Sequence, residues 1–75
     1  MPDIKKIIQK MKTQPNGIRF SEAEKVLEKN GYVFKRQKGS HRGYANAAGN
    51  FITLVYGSPV PKAYIEDILT LIGEK

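Results

Sequence analysis

Apolar and polar residues follow two different periods along this chain, and these periods predict helices and strands. Near the start, four apolar residues recur at the spacing of one helix face: Ile4, Ile7, Ile8 and Met11. Lysines and glutamines fill the opposite face, and Asp3 is a suitable N-cap. The pattern predicts a helix to about Thr13 that packs its apolar stripe into a core and leaves a basic face in water. Such a helix can also bind membranes, but this one lacks large aromatic anchors.

A second helix is predicted after a break at residues 14–17, where a proline and an Asn-Gly pair favour a turn. Ser21 with Glu24 three residues later matches a capping box, so we expect the helix to begin at Ser21 and to run to Lys29. Its inward residues would be Ala23, Val26 and Leu27. Gly31 suits the left-handed position that ends a helix.

Three segments rich in aromatic and β-branched residues predict strands at 32–37, 41–47 and 51–56, joined by tight turns at 38–40 and 48–50. In the middle strand, side-chain alternation places two sets on opposite faces: His41, Gly43 and Ala45 on one, and Arg42, Tyr44 and Asn46 on the other. A last helix is predicted over about 63–72, with an apolar stripe of Ile65, Ile68, Leu69 and Ile72.

The order of these elements predicts an α+β fold, in which helices cover one face of a three-stranded antiparallel sheet. We expect a single domain over residues 1–75, with a helical N-terminal extension at 1–17 and a compact α-β-β-β-α unit at 18–75.

Length and composition exclude several classes of protein. A domain of 75 residues has a thin core and little room for an enclosed cofactor pocket. The chain has no cysteine and one histidine, so a protein-only transition-metal site is not expected. It has neither a long apolar run nor the apolar centre of a signal peptide. We therefore expect a soluble cytoplasmic protein that needs no cofactor and no metal.

Charge narrows the choice of partner. Lys and Arg outnumber Asp and Glu by 13 to 7, which gives a net charge of +6. The excess lies in two segments, residues 1–20 and 31–45. Such basic patches are typical of proteins that bind nucleic acid or an acidic protein partner, although the N-terminal patch also fits an ordinary charged surface.

The second basic segment holds the single histidine of the chain. His41 lies among four cationic residues: Lys35, Arg36, Lys38 and Arg42. Two glycines near it, Gly39 and Gly43, have no side chain and leave the backbone bare. An imidazole exchanges its proton near neutral pH. Surrounded by cations and bare backbone, it is suited to act on a phosphodiester. A lone surface histidine is also often without function.

Several residues in this part of the chain carry a resemblance to a known family: Asn30-Gly31, Tyr32-Val33, Arg36-Gln37-Lys38-Gly39-Ser40-His41, Tyr44, Gly49 and the strand from Phe51. From Phe20 onward the chain resembles the HicA-type mRNA interferase toxins. The resemblance implies a double-stranded-RNA-binding-like fold, cleavage of mRNA, His41 as the catalytic histidine, and a HicB-type antitoxin that masks the active face. The chain departs from many relatives in residues 1–17 and in lacking a second histidine after the third strand.

RNA carries its own nucleophile, the 2′-hydroxyl, so a cleaving protein needs only to orient it, transfer protons and stabilise charge. His41 would transfer a proton, as general acid or as general base. Lys38 and Arg42 would stabilise the phosphate oxygens with help from Lys35 and Arg36, and the amides of Gly39 and Ser40 would form an anion nest. Tyr44 would either stack on a base or pack. With about four cations on phosphates, the logarithm of the binding constant should fall with log salt at a slope near −3.

Two other functions fit the same residues. The chain would be a non-catalytic RNA-binding module if His41 only contacts RNA, and gel shifts without shortening would identify it. It would be a protein-interaction domain if the basic face only docks an acidic partner. Fold alone does not choose among these functions.

Overall fold

The computed structural model describes residues 3–57 and 59–74. The elements, in chain order, are α1 (Ile4–Thr13), a short 3-10 turn (Pro15–Gly17), α2 (Phe20–Lys29), β1 (Val33–Lys38), β2 (His41–Ala45), β3 (Phe51–Val55) and α3 (Lys62–Leu71). The strands form one antiparallel sheet in the order β1-β2-β3. The predicted α+β class, the order of elements and the three-stranded sheet are confirmed. No helix in these residues is long and apolar enough to cross a bilayer.

The sheet has a buried face and an open face. Tyr44, Ile52 and Leu54 belong to the buried face, where they share one core with apolar residues of all three helices. Their neighbours along the strands belong to the open face, because successive side chains of a strand point to opposite sides. On β2 the predicted alternation holds, since His41 is exposed while Tyr44 is fully buried.

The first helix is part of this core. Asp3 accepts a hydrogen bond from the Lys5 amide at 2.9 Å and caps α1 as predicted. Met11 is completely buried and Ile7 is nearly so, between α2 and α3. Residues 4–13, predicted as part of an extension, therefore supply core packing to the rest of the chain.

The start of α2 differs from the prediction. The helix begins at Phe20 with Arg19 in the N-cap position, and the Glu22 carboxylate accepts the Arg19 backbone amide at 3.0 Å. The predicted pairing of Ser21 with Glu24 is therefore wrong by two residues. The physical reason is tertiary: Phe20 is buried and packs its ring 4.9 Å from that of Tyr56, so the first helical turn must include it.

The cap of α2 gives a test with a defined pH dependence. The hydrogen bond from the Arg19 amide, with smaller help from Lys10, lowers the pKa of the Glu22 carboxyl below its usual 4.5. A group with a lowered folded-state pKa stabilises the fold above its unfolded-state pKa, and this contribution is lost as the pH falls through the folded-state value. Glu22→Ala should therefore cost about 1 kcal/mol of unfolding free energy near neutral pH and less in acid.

Denaturant unfolding at neutral and acidic pH would measure this difference. Ser21→Ala is the matched control, and it should change stability by less than about 0.5 kcal/mol at either pH because Ser21 is exposed and does not cap the helix. A larger loss of unfolding free energy from Ser21→Ala than from Glu22→Ala would instead support Ser21 as the N-cap.

The start of β1 and the end of β2 differ from the prediction because neighbouring turns use the polar groups of the residues there. The Tyr32 amide donates to the Leu27 carbonyl at 2.9 Å and completes the end of α2, so β1 begins one residue later. The Asn46 side chain accepts from the amides of Ala48 and Asn50 at 3.1 and 2.9 Å. Asn46 therefore belongs to the β2–β3 turn and not to β2.

Candidate nucleic-acid interface

A β-bulge divides β1 into two parts whose side chains alternate in opposite phase. Phe34 pairs with Tyr44, but the next pair joins Arg36 to Gly43, which leaves Lys35 as the extra residue. Because side chains alternate, Arg36 and Lys38 lie on the open face in register with the hairpin turn, and the bulge puts Phe34 on the buried face with Tyr44. The two cations therefore lie on the same side of the sheet as Gly43 and His41.

His41 is the first residue of β2 and is held from both sides. It pairs with Lys38 on β1 and with Val55 on β3. The two-residue turn before it has Gly39 at a φ of 60°, the position where a type II′ hairpin turn favours glycine. The Tyr56 amide donates to the Ser40 carbonyl and joins this turn to the end of β3. The backbone at His41 is therefore fixed while its side chain is exposed.

The open face carries a shallow groove of about 320 Å³, here called the outer groove, which is lined by Arg36, Lys38, His41, Gly43, Phe51 and Thr53. All three strands contribute to it. Arg36 and Lys38 form no ion pair with another residue in the described part of the chain. Their charges are therefore available to an anion that enters the groove beside His41.

Arg42 and Tyr44 are on the other side of the sheet. The Tyr44 hydroxyl donates to the Glu24 carboxylate, and the Arg42 Nη2 atom lies 3.3 Å from the same carboxylate. The Arg42 guanidinium also stacks over the Phe34 ring at 4.4 Å. Burial, followed by the bond to Glu24, raises the pKa of the Tyr44 hydroxyl far above its usual 10. These two residues join the sheet to α2, and the structure does not bring them to His41.

The other residues predicted for the site lie near His41 but differ in position. Gly39 and Ser40 form the turn that precedes it, and Lys35 is exposed at the bulge on the edge strand. In residues 3–57 and 59–74, no three His, Cys, Asp or Glu side chains form a cluster that could hold a metal ion.

Two residues of the groove, Phe51 and Thr53, were not among the predicted site residues. Phe51 was predicted only as the first residue of a strand, and 49% of its surface is exposed. Alternation along β3 was the available signal, since Ile52 and Leu54 take the buried positions and leave Phe51 and Thr53 for the open face.

Comparison with protein families identifies the class of this protein. The family model described as HicA toxin of bacterial toxin-antitoxin matches residues 20–73, from the start of α2 to two residues past the end of α3. The match covers well over half of the 75-residue chain. The chain therefore belongs to the HicA toxin family, and the predicted resemblance is confirmed. No curated protein and no solved structure gave a significant match.

Family membership defines the biological setting in general terms. The protein is a toxin of a bacterial toxin–antitoxin system, and such a system implies a cognate antitoxin as its partner. The matched segment contains β1, β2 and β3, and therefore every residue of the outer groove. It excludes α1, whose core packing is an addition to the part that the family model describes.

Proposed function

We propose that this toxin is a metal-independent endoribonuclease, an mRNA interferase that cleaves mRNA with His41 and is neutralised by a HicB-type antitoxin. The observation that carries the proposal is the placement of the exposed His41 directly opposite Lys38 on an uncovered sheet face. Arg36 lies two pairs further along the strands, on the same face. Cleavage of a phosphodiester needs a group that transfers a proton and groups that stabilise negative charge, and these three side chains supply both.

The reaction would use the substrate's own 2′-hydroxyl. Its oxygen attacks the adjacent phosphorus and displaces the 5′-oxygen of the next nucleotide, which leaves a cyclic phosphate and a 5′-hydroxyl. His41 would take the proton from the attacking hydroxyl or give one to the leaving oxygen. Lys38 and Arg36 would stabilise the negative charge that grows on the non-bridging oxygens. The amides of Gly39 and Ser40 remain proposed anion contacts at the edge of the groove.

The antitoxin would act by covering the outer groove. The surface of the groove combines unpaired cations with an exposed aromatic ring, and an acidic protein surface with apolar residues would complement it. The net charge of +6 favours the same kind of partner. The HicB type of the antitoxin follows from the family resemblance.

The direct test is incubation of the purified toxin with a long single-stranded RNA in EDTA. Shortening of the RNA despite the chelator, and its suppression by the antitoxin, would support the proposal. A gel shift without shortening would instead identify a non-catalytic RNA-binding module. Failure to bind or cut any RNA would favour a domain that only docks a protein.

The proposal gives different roles to two cations close to His41 in sequence: Lys38 binds RNA, and Arg42 stabilises the fold. Lys38→Ala should weaken RNA binding without lowering the melting temperature, because Lys38 is exposed and unpaired. With Lys35, Arg36 and Lys38 on phosphates, the slope of log binding constant against log salt should be about −2, and Lys38→Ala should reduce its magnitude by about 0.7.

Arg42→Ala is the matched variant on the buried side. It should lower the melting temperature, since it leaves the Glu24 carboxylate half-paired, while the salt dependence stays unchanged. The original prediction of a phosphate contact for Arg42 would be supported instead if Arg42→Ala reduced the salt slope as much as Lys38→Ala.

A further inference from the structure

We infer that Phe51 is the platform on which one base of the RNA stacks, next to the phosphate that faces His41. This inference rests on the proposed function and adds a residue that positions the substrate. It also specifies the substrate as RNA with an unpaired base at the cleavage site.

The geometry of Phe51 directs its ring toward His41. Phe51 pairs with Ala45 at the end of the sheet, but its ring reaches diagonally to Gly43, the next outward residue toward His41. A Cβ atom on Gly43 would lie only 2.6 Å from the ring's Cζ atom. The ring thus lies on bare backbone in the middle of the groove, and about half of its surface remains exposed.

This contact explains a glycine that otherwise weakens the sheet. Glycine inside a strand loses conformational entropy and packing, and it often marks a close approach of another group. Gly43 has no positive φ that would require glycine. Its role here is to leave room for the Phe51 ring, and the groove gains an aromatic surface that would otherwise be displaced from the sheet.

The surroundings of the ring match those of a single-stranded nucleic-acid site. Such sites combine cations along the backbone with aromatic side chains that stack on bases. Here Arg36, Lys38 and His41 line the same groove as the ring. Outward residues of a strand are about 6.5 Å apart, so His41 and Gly43 are separated by roughly the reach of one nucleotide. A phosphate at His41 and the base of a neighbouring nucleotide at Phe51 can be bound together.

The chemistry of stacking sets the substrate class. A base in a duplex has both faces covered by its neighbours and cannot stack on a protein ring without leaving the helix. Phe51 therefore favours loops and unstructured RNA over double-stranded RNA, even though the fold resembles that of double-stranded-RNA binders.

The experiment measures binding without cleavage, in a His41→Ala parent protein. The probe is a short single-stranded RNA with one 2-aminopurine, whose fluorescence is quenched when it stacks. Adding Phe51→Ala should weaken binding about 5- to 100-fold and remove part of the quenching, because stacking on one aromatic residue accounts for an effect of that size. Phe51→Trp should keep both signals. Gly43→Ala should reduce both by pushing the ring away.

Phe34→Ala is the matched control, since Phe34 is also about half-exposed but belongs to the opposite face of the sheet. It should leave RNA binding within about twofold, which is well below the effect of losing a stacking residue. Circular dichroism of each variant would check the fold.

Each outcome has one meaning. If the parent binds RNA but Phe51→Ala binds it equally well, or if Phe34→Ala weakens binding as much, the inference is overturned and the proposed ribonuclease stands. The same applies if Phe51→Ala weakens only the complex with the antitoxin. If the parent binds no RNA, the proposed function itself fails and this inference fails with it.

Discussion

His41→Ala should abolish RNA cleavage while leaving the protein folded. General acid–base catalysis is typically worth about 10²- to 10⁴-fold in rate, and the chain has no second histidine to replace the lost group. The side chain of His41 is exposed and is not one of the buried core residues, so its loss should not change the melting temperature. The measurement is the rate of shortening of a long single-stranded RNA in EDTA by both proteins.

Two controls separate loss of chemistry from loss of structure. The variant should still form a complex with the antitoxin, which reports an intact open face. Imidazole added to the reaction should restore part of the activity, because a small molecule can supply the missing proton carrier. Cleavage by His41→Ala at the wild-type rate would refute the catalytic assignment and return His41 to the role of a surface residue.

Met11→Ala should cause the largest loss of stability of any single change in α1. Met11 is completely buried, and truncating a buried Met to Ala typically costs 2–5 kcal/mol, about 2 kcal/mol or more here. A domain of 75 residues has a total stability of only about 4–11 kcal/mol. Urea unfolding should therefore show a strongly lowered midpoint with little change in slope.

The controls for Met11→Ala lie at the same position and beside it. Met11→Leu conserves volume and should cost less than about 1.5 kcal/mol. Lys12→Ala removes an exposed ion pair with Glu74 and should cost at most about 1 kcal/mol. If Met11→Ala were no worse than Lys12→Ala, α1 would be a peripheral extension after all. RNA cleavage below the melting temperature should be unaffected, because α1 contributes nothing to the outer groove.

Much of the fold was predictable because its periodicities are strong. The apolar stripe that includes Met11 specifies one buried helix face, and this prediction is confirmed. The separation of His41 from Tyr44 on β2 followed from the alternation of side chains along a strand. These features depend on local spacing, which the sequence displays directly.

The composition of the site was less predictable because it depends on tertiary contacts. Nothing in the sequence around Lys35 marks a bulge, yet the bulge there puts Phe34 on the buried side of the sheet and Arg36 on the open side. Arg42 is adjacent to His41 in the chain, and adjacent residues of a strand point to opposite faces, so proximity in sequence did not produce proximity in space. Glu24, expected to cap α2, is instead free to bind the sheet because Phe20 is buried and the helix starts earlier.

The bulge at Lys35 has a consequence for how this chain can vary. A side chain of a strand faces one side of the sheet or the other. For the residues between α2 and the bulge, the number of residues that separates them from the hairpin turn decides which side they face. One residue added or removed at the bulge, with the hairpin turn kept, would leave Arg36 and Lys38 on the open face and turn Phe34 away from Arg42. A change of two residues would restore the side on which Phe34 lies. Homologous chains that keep this ring over Arg42 should therefore differ in this segment by even numbers of residues, however freely its side chains change.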